Sequence, residues 1–239
     1  RMAAVPGLEA QRADIIVAGA LVLQAVAETF GITTFTFSEA ALREGVLLDT
    51  IARVAGGDLH HLADVSRQSI RALAARCDHD VVHSQHVADL ALQIYDGTEE
   101  LHGLPSHCRD YLEAAALLAN VGLVISHSKH HLHSYYVIRN SDLAGLTDNE
   151  IEIIALVARY HRKSSPKQTH PEFVHLDPGD QVIVRTLAAI LRVAIALDRS
   201  HDGRIQGLRV ERRGRRLTLE VIAEPGRDVS LEVYTAHER

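Results

Sequence analysis

Nothing in this sequence supplies a covalent framework, a membrane anchor or a general polyanion coat. Its 239 residues include only two cysteines, Cys77 and Cys108. That is too few for a disulfide scaffold and suits a reducing cytosol, so both are read as structural. The apolar run Ile15–Val26 falls short of the roughly 20 residues a membrane helix needs and is broken by Gly19 and Gln24. No secretory leader is visible, and the cytoplasm is the expected location. Basic residues are outnumbered, 25 Lys+Arg against 31 Asp+Glu, for a net charge of −6. Such a chain is a poor candidate for a general nucleic-acid coat, and any contact with a polyanion has to come from local patches. There is no Walker-type phosphate loop, no Gly-x-Ser-x-Gly elbow, no zinc-ribbon spacing and no internal repeat.

What is present is an ordinary globular composition, 46% hydrophobic and 23% charged. Residues 8–30 read as one apolar helix stopped by Gly31. Thr33–Phe37 is β-branched and aromatic, which predicts a short strand. Ser38 then caps a helix carrying Leu42, Val46, Leu47 and Ile51 at helical spacing. Helix, strand, helix is the tail of an α/β unit, with Gly56-Gly57-Asp58 as its boundary. From about Asp64 the pattern is helical throughout. Val87, Leu90, Ala91 and Ile94 make one stripe. Tyr111–Val124 predicts a deeply buried helix. Thr147-Asp148-Asn149-Glu150 is a capping box ahead of Ile151, Ile154, Ala155 and Ala158. Asp180 is the expected cap of a further helix through Ile183, Leu187, Ile190, Leu191 and Ala194. After Gly203 the period changes to two, in three runs: Leu208 and Val210; Leu217, Leu219 and Val221; Val229, Leu231 and Val233. With turn signals at Arg213-Gly214 and Glu224-Pro225-Gly226, this predicts a three-strand antiparallel meander. The expected division is 1–56, 57–202 and 203–239. Both ends, Arg1 and Arg239, fall in mid-pattern and look cut.

Sixteen histidines stand out, nine of them between His79 and His133. His83 lies four residues before Val87, on the apolar side of its helix, with His86 near the same edge. His127, His130, His131 and His133 follow the buried helix, and His161 ends the capping-box helix. Two readings are open on spacing alone. Histidines from several helices facing one core suit a metal site; equally, they are satisfied core groups and surface residues. Three basic stretches accompany them: Lys129 among the histidines, Arg162-Lys163 with Lys167, and Arg199 with His201. These are local positive patches suited to a phosphate-rich ligand, or else a solvated face.

The segments His83-Ser-Gln-His-Val87, Ala114–Gly122 (AAALLANVG) and His127–Ile138 (HSKHHLHSYYVI), with Ile151–Lys163 (IEIIALVARYHRK) and Ala189–Asp202 (AILRVAIALDRSHD), resemble the HD-type helical domain of exopolyphosphatase/guanosine pentaphosphate phosphohydrolases (Ppx/GppA). Leu42-Arg43-Glu44-Gly45 resembles the Leu-Arg-Glu-Gly motif at the end of that family's actin-like (ASKHA) catalytic domain. The likeness covers nearly the whole chain, with several motifs in order. It implies a mostly α fold: the α/β tail of an actin-like phosphatase domain, then an HD-like helical domain, then the small β-meander.

The departures carry chemistry. Where HD-bearing members have a His-Asp pair, this chain has Ala119-Asn120, and a later Asp ligand falls on Ile195. A methyl group ligates nothing, and an amide binds a divalent ion far worse than a carboxylate. The resemblance therefore implies no metal and a degenerate HD site near His83, Ala119, Asn120, His127, His133, His161 and Ile195. The His79-Asp80 dipeptide is a decoy in a polar stretch. For the parent protein the resemblance implies a phosphoanhydride hydrolase acting on the terminal phosphate of polyphosphate or guanosine pentaphosphate. Its Mg²⁺ and catalytic carboxylate are expected outside these residues, leaving no catalytic residue and no cofactor here. Candidate substrate contacts are Arg43, Lys129, His130, His131, Arg162, Lys163 and Lys167; Arg43 also stands four residues from Glu39, an ion-pair partner. The expected partners are the phosphate substrate and a second copy of the chain, with no nucleic acid and no membrane. Two alternatives remain at this point: a metal-free regulatory or dimerisation module, and an HD metallohydrolase with altered ligands.

Overall fold

The computed structural model describes residues 15–34, 60–214 and 216–239. The chain forms two compact units, Arg1–Gly57 and Asp58–Arg239. In the first, α1 (Ile16–Phe30) ends at Gly31, whose φ of 64° lets its N–H turn back to the carbonyl of Ala27. Glycine adopts this left-handed geometry without a Cβ penalty, as expected of the stop signal. Residues 8–14, most of the expected strand, the helix after Ser38 and the 56–58 boundary lie outside the described residues. Thr33 and Thr34, at the start of that strand, are irregular.

The second unit is built from helices α2 (His60–Cys77), α3 (Val81–Gly97), α4 (Glu99–His102), α5 (Cys108–Leu118), α6 (His130–Arg139), α7 (Asp148–Arg159), α8 (Pro171–Val174) and α9 (Pro178–Leu197). Strands β1 (Ile205–Arg213) and β2 (Arg216–Ala223) and a last helix α10 (Ser230–His237) complete it. The stripe Val87, Leu90, Ala91 and Ile94 is buried as the periodicity requires. Helix α3 packs against α5 and α9, while α6 packs against α7. The centre is α5 with α7: Leu112, Ala115, Leu118, Ala155, Leu156 and Val157 are fully enclosed. The capping box forms as read: the Thr147 hydroxyl accepts from the Glu150 amide, and the Glu150 carboxylate accepts from the Thr147 amide at 2.7 Å.

Three expectations need correction. The helix predicted over Tyr111–Val124 stops at Leu118, and Val121–Val124 is a short 3₁₀ turn. The cause is a close approach to α6. A Cβ on Gly122 would stand 2.2 Å from the Ser134 amide nitrogen and 2.3 Å from the His130 carbonyl oxygen. Ser134 fastens the same junction, donating to the Ala119 carbonyl at 2.6 Å and accepting from the Gly122 amide at 3.0 Å. Secondly, α9 starts at Asp177-Pro178, with Asp177 at the cap and Pro178 in the first turn. A proline ring is already set to the helical φ there and has no N–H to leave unpaired. Asp180 lies inside the first turn and accepts from Asn149 at 2.9 Å. Thirdly, the predicted meander has two strands. The hairpin pairs Leu208 with Val221 and Val210 with Leu219, but residues 230–237 are helical. Alternation had assigned Val229, Leu231 and Val233 to a buried face. Instead Leu231 and Val233 are 56% and 44% exposed while Glu232 is 1% exposed. The Glu232 carboxylate accepts from the Ser200 hydroxyl at 2.6 Å, and Thr235 donates to the Ala196 carbonyl, so polar contacts with the end of α9 hold this helix down. No described helix is long and apolar enough to cross a membrane.

Candidate functional site

The site forms where the start of α3, the start of α6 and the end of α9 meet. Asp80 caps α3, accepting from the His83 amide at 3.2 Å, which places His83 in the first turn. The His83 ring donates from Nδ1 to Asp198, at the end of α9, over 2.7 Å. Both side chains are only 2% exposed. Asp198 also accepts from the Gly203 amide at 3.1 Å, fixing the chain as it leaves the helix. His201, at a left-handed φ of 58°, folds back so that its ring stacks on His83, 3.6 Å between centroids. Its Nδ1 donates to Asp80 over 2.9 Å. That hydrogen bond holds the Asp80 carboxyl below the usual carboxylate range.

On the other side, donors and acceptors run in one direction. Arg162 donates to His130 Nδ1 (3.2 Å), His130 Nε2 donates to His161 Nε2 (3.1 Å), and His161 Nδ1 donates to the Ala158 carbonyl (2.5 Å). A carbonyl oxygen only accepts, so the last link sets the tautomers of both rings. The His127 carbonyl, 3.3 Å from His130 Nδ1, is the poorer partner. Burial pushes the His161 imidazole down to about 3 and His131 to about 4, and lowers His130, with neighbouring His and Arg162 charges adding to the effect. All three are neutral near pH 7.

Between these walls lies a cavity of about 180 Å³. Its polar lining is His83, Asn120, His130, His161 and His201 with Arg162, Arg192, Arg199 and Arg239; Ile195 and Thr235 contribute too, and no Asp or Glu side chain is among the described lining residues. Arg192 donates to the Lys163 carbonyl at 3.2 Å, while its buried Nε–H meets no partner. Burial, then the charge of Arg239, lowers its guanidinium from the ordinary arginine value.

Of the positions read as a degenerate HD site, the structure brings His83, Asn120, His161 and Ile195 to this cavity. Ala119 is buried at the end of α5 and does not line it; His127 is exposed and His133 half-buried, both off the lining. Among the substrate candidates, His130 and Arg162 reach the cavity and His131 is buried beside His130 and His161. Lys129, Lys163 and Lys167 are exposed outside it. Arg43 lies outside the described residues. Arg192 was missed, although Arg192, Ile195 and Arg199 follow i, i+3, i+7 spacing, a signal for one helix face. The carboxylates of Asp80 and Asp198 were missed as partners of the two stacked histidines. This donor set does not fit a divalent metal: the rings of His130 and His161 are spent on each other, and no group of three suitable ligands converges among the described residues.

Fold and site together define a helical domain with a cation-lined cavity that no Asp or Glu side chain lines among the described residues. Residues 65–232 match the model of the Ppx/GppA phosphatase domain III, and residues 1–54 match that of the Ppx/GppA phosphatase family. The chain belongs to the Ppx/GppA phosphatase family. It is 28% identical over 198 residues to a guanosine-5'-triphosphate,3'-diphosphate pyrophosphatase of Pseudoalteromonas translucida (strain TAC 125), and 29% identical over 192 residues to a protein of the same name from Aeromonas hydrophila. Each match takes in 80% of this chain and 37% of the relative's length, so the chain spans well under half of the curated relatives it matches.

Proposed function

We propose that this chain is the C-terminal portion of a phosphoanhydride hydrolase that removes the terminal phosphate of guanosine pentaphosphate or polyphosphate, and that its helical unit helps hold the anionic substrate. The observation that carries the reading is the concentration of four guanidinium groups, Arg162, Arg192, Arg199 and Arg239, in the cavity lining of an otherwise acidic chain. The relatives named as guanosine-5'-triphosphate,3'-diphosphate pyrophosphatases favour the nucleotide as substrate. In the parent protein Mg²⁺ and an orienting carboxylate supply the hydrolytic chemistry outside these residues. The helical unit holds no metal, and the chain assayed alone is inactive. It works in the cytoplasm as a homodimer, off membranes and nucleic acid.

Exposed Lys129, Lys163 and Lys167 attract the polyanion, each exposed contact contributing about 1 kcal/mol or less. The test is titration of labelled long-chain polyphosphate against the 239-residue chain at low and high salt. Affinity falls with salt as condensed counterions are released. It also falls when Arg162, Lys163 and Lys167 become Ala. Absence of binding at low salt overturns the polyanion role and leaves a dimerisation or regulatory element. Phosphate release by the full reading frame from guanosine pentaphosphate, set against polyphosphate, decides the substrate.

A further inference from the structure

We infer that the cavity between α3, α6 and α9 is a seat for one phosphoryl group, built where a metal site would need carboxylates. Three features of the lining carry this. First, its charge is uncompensated. Arg162, Arg192 and Arg199 line the cavity without an ion-pair partner among the described residues, whereas Arg139, Arg159 and Arg204 elsewhere on this unit each pair with a carboxylate. The buried Nε–H of Arg192 has no acceptor at all. A buried donor left open is unfavourable, and an oxyanion would satisfy it. Secondly, two of the lining residues can accept. Each stacked histidine gives its Nδ1–H to a carboxylate, which only accepts, so in the neutral ring Nε2 offers a lone pair. Hydrogen phosphate has oxygens for the guanidiniums and one O–H for such a lone pair. Sulfate has no proton to give. Thirdly, the size is small. About 180 Å³ has room for several waters. That suits one tetrahedral oxyanion with its solvent and falls short of the roughly 300 Å³ at which pockets for larger ligands begin.

The seat rests on the polyanion reading above only for the source of its phosphoryl group, which is either a free phosphate or the end of a longer chain. The carboxylates of Asp80 and Asp198 stand behind the histidine rings, where they orient them rather than face the ligand.

The experiment uses the whole 239-residue chain and calorimetric titration with orthophosphate, tripolyphosphate and sulfate. Binding of one orthophosphate per chain, tighter than sulfate, is expected. Tripolyphosphate binding better than orthophosphate identifies a chain end as the source; equal affinities identify free phosphate. Arg199→Gln, on the exposed rim, weakens orthophosphate binding about tenfold or more, the scale of one charge-assisted hydrogen bond. Ile195→Asp abolishes it by placing a negative charge in the lining, with circular dichroism confirming the fold. Lys167→Gln leaves orthophosphate binding unchanged while weakening long-chain polyphosphate, so the seat and the surface patch fail separately. Orthophosphate binding that is absent, matched by sulfate, or indifferent to both Arg199→Gln and Ile195→Asp overturns the proposal.

Discussion

His83 and His201 stack face to face, 3.6 Å between ring centroids and 10° from parallel, and each gives its Nδ1 to a different carboxylate. The two couples differ in burial. His83 and Asp198 are 2% exposed, while His201 and Asp80 are each 47% exposed. The inner couple therefore bears on stability, and the outer one on how the chain turns back after α9.

Asp198→Ala should be among the costliest single changes. It strands the His83 Nδ1–H and the Gly203 amide together. Breaking a buried pair by removing one partner costs about 3–5 kcal/mol. Asp198→Asn keeps an acceptor for Gly203 and should cost less. Urea denaturation of the two variants against the parent chain checks the order, and equal losses would refute it. Asp80→Asn, at the exposed couple, should cost about 1 kcal/mol or less beyond its capping role.

The junction of α5 and α6 makes a second prediction. Gly122→Ala puts a methyl group 2.2 Å from backbone that cannot rotate away. Overpacking of this kind costs about 3 kcal/mol. Ser134→Ala leaves the Gly122 amide without its acceptor and the Ala119 carbonyl without its donor, for about 1–3 kcal/mol. Thermal melts of both variants, with Gly122→Ala the lower, are the expected result. Because α6 carries His130 into the cavity, Gly122→Ala should also weaken anion binding.

Local rules made the helices legible, and distant pairings account for the errors. The Thr147–Glu150 capping box and the Gly31 stop need only four residues of context and form as read. The start of α9 was misplaced because Asp177 and Asp180 both look like caps, and only Pro178 between them decides. The third strand was misread because Glu232 is buried through a bond to Ser200, 32 residues away, which alternation of Val229, Leu231 and Val233 does not encode. The same holds for the cavity. Its histidines and the substituted Asn120 and Ile195 stand in recognisable motifs. The links that orient them, His83 to Asp198 and His201 to Asp80, span 115 and 121 residues.

Metal affinity follows from the lining. With Asn120 and Ile195 in place, protein purified without chelator should carry no stoichiometric transition metal by elemental analysis. Asn120→Asp together with Ile195→Asp adds two carboxylates beside His83 and His161. Manganese binding by the double variant, absent from the parent, is expected, since hard divalent ions select carboxylate oxygen. A metal-loaded parent chain would overturn the account of the cavity as an anion site.

The buried histidines set the pH dependence of stability. His161 is pushed down to about 3 and His131 to about 4, and His130 is lowered, all chiefly by burial. An unfolded histidine titrates near about 6.5. Between that pH and the folded values, the unfolded chain binds protons that the folded chain refuses, so acid favours unfolding. Stability should be full above about pH 7 and fall steadily as the pH drops from about 6.5 towards 4. Asp80 acts in the same direction at lower pH: its carboxyl, held down by the His201 hydrogen bond, contributes stability that is lost on protonation. Urea midpoints at pH 7.5, 6 and 5 should decline in that order. His161→Gln removes the largest proton-binding difference, so its profile should be flatter over this range even if the variant is less stable throughout. A parent profile that is flat, or an unchanged slope in His161→Gln, would show that these rings are already solvated in the folded protein.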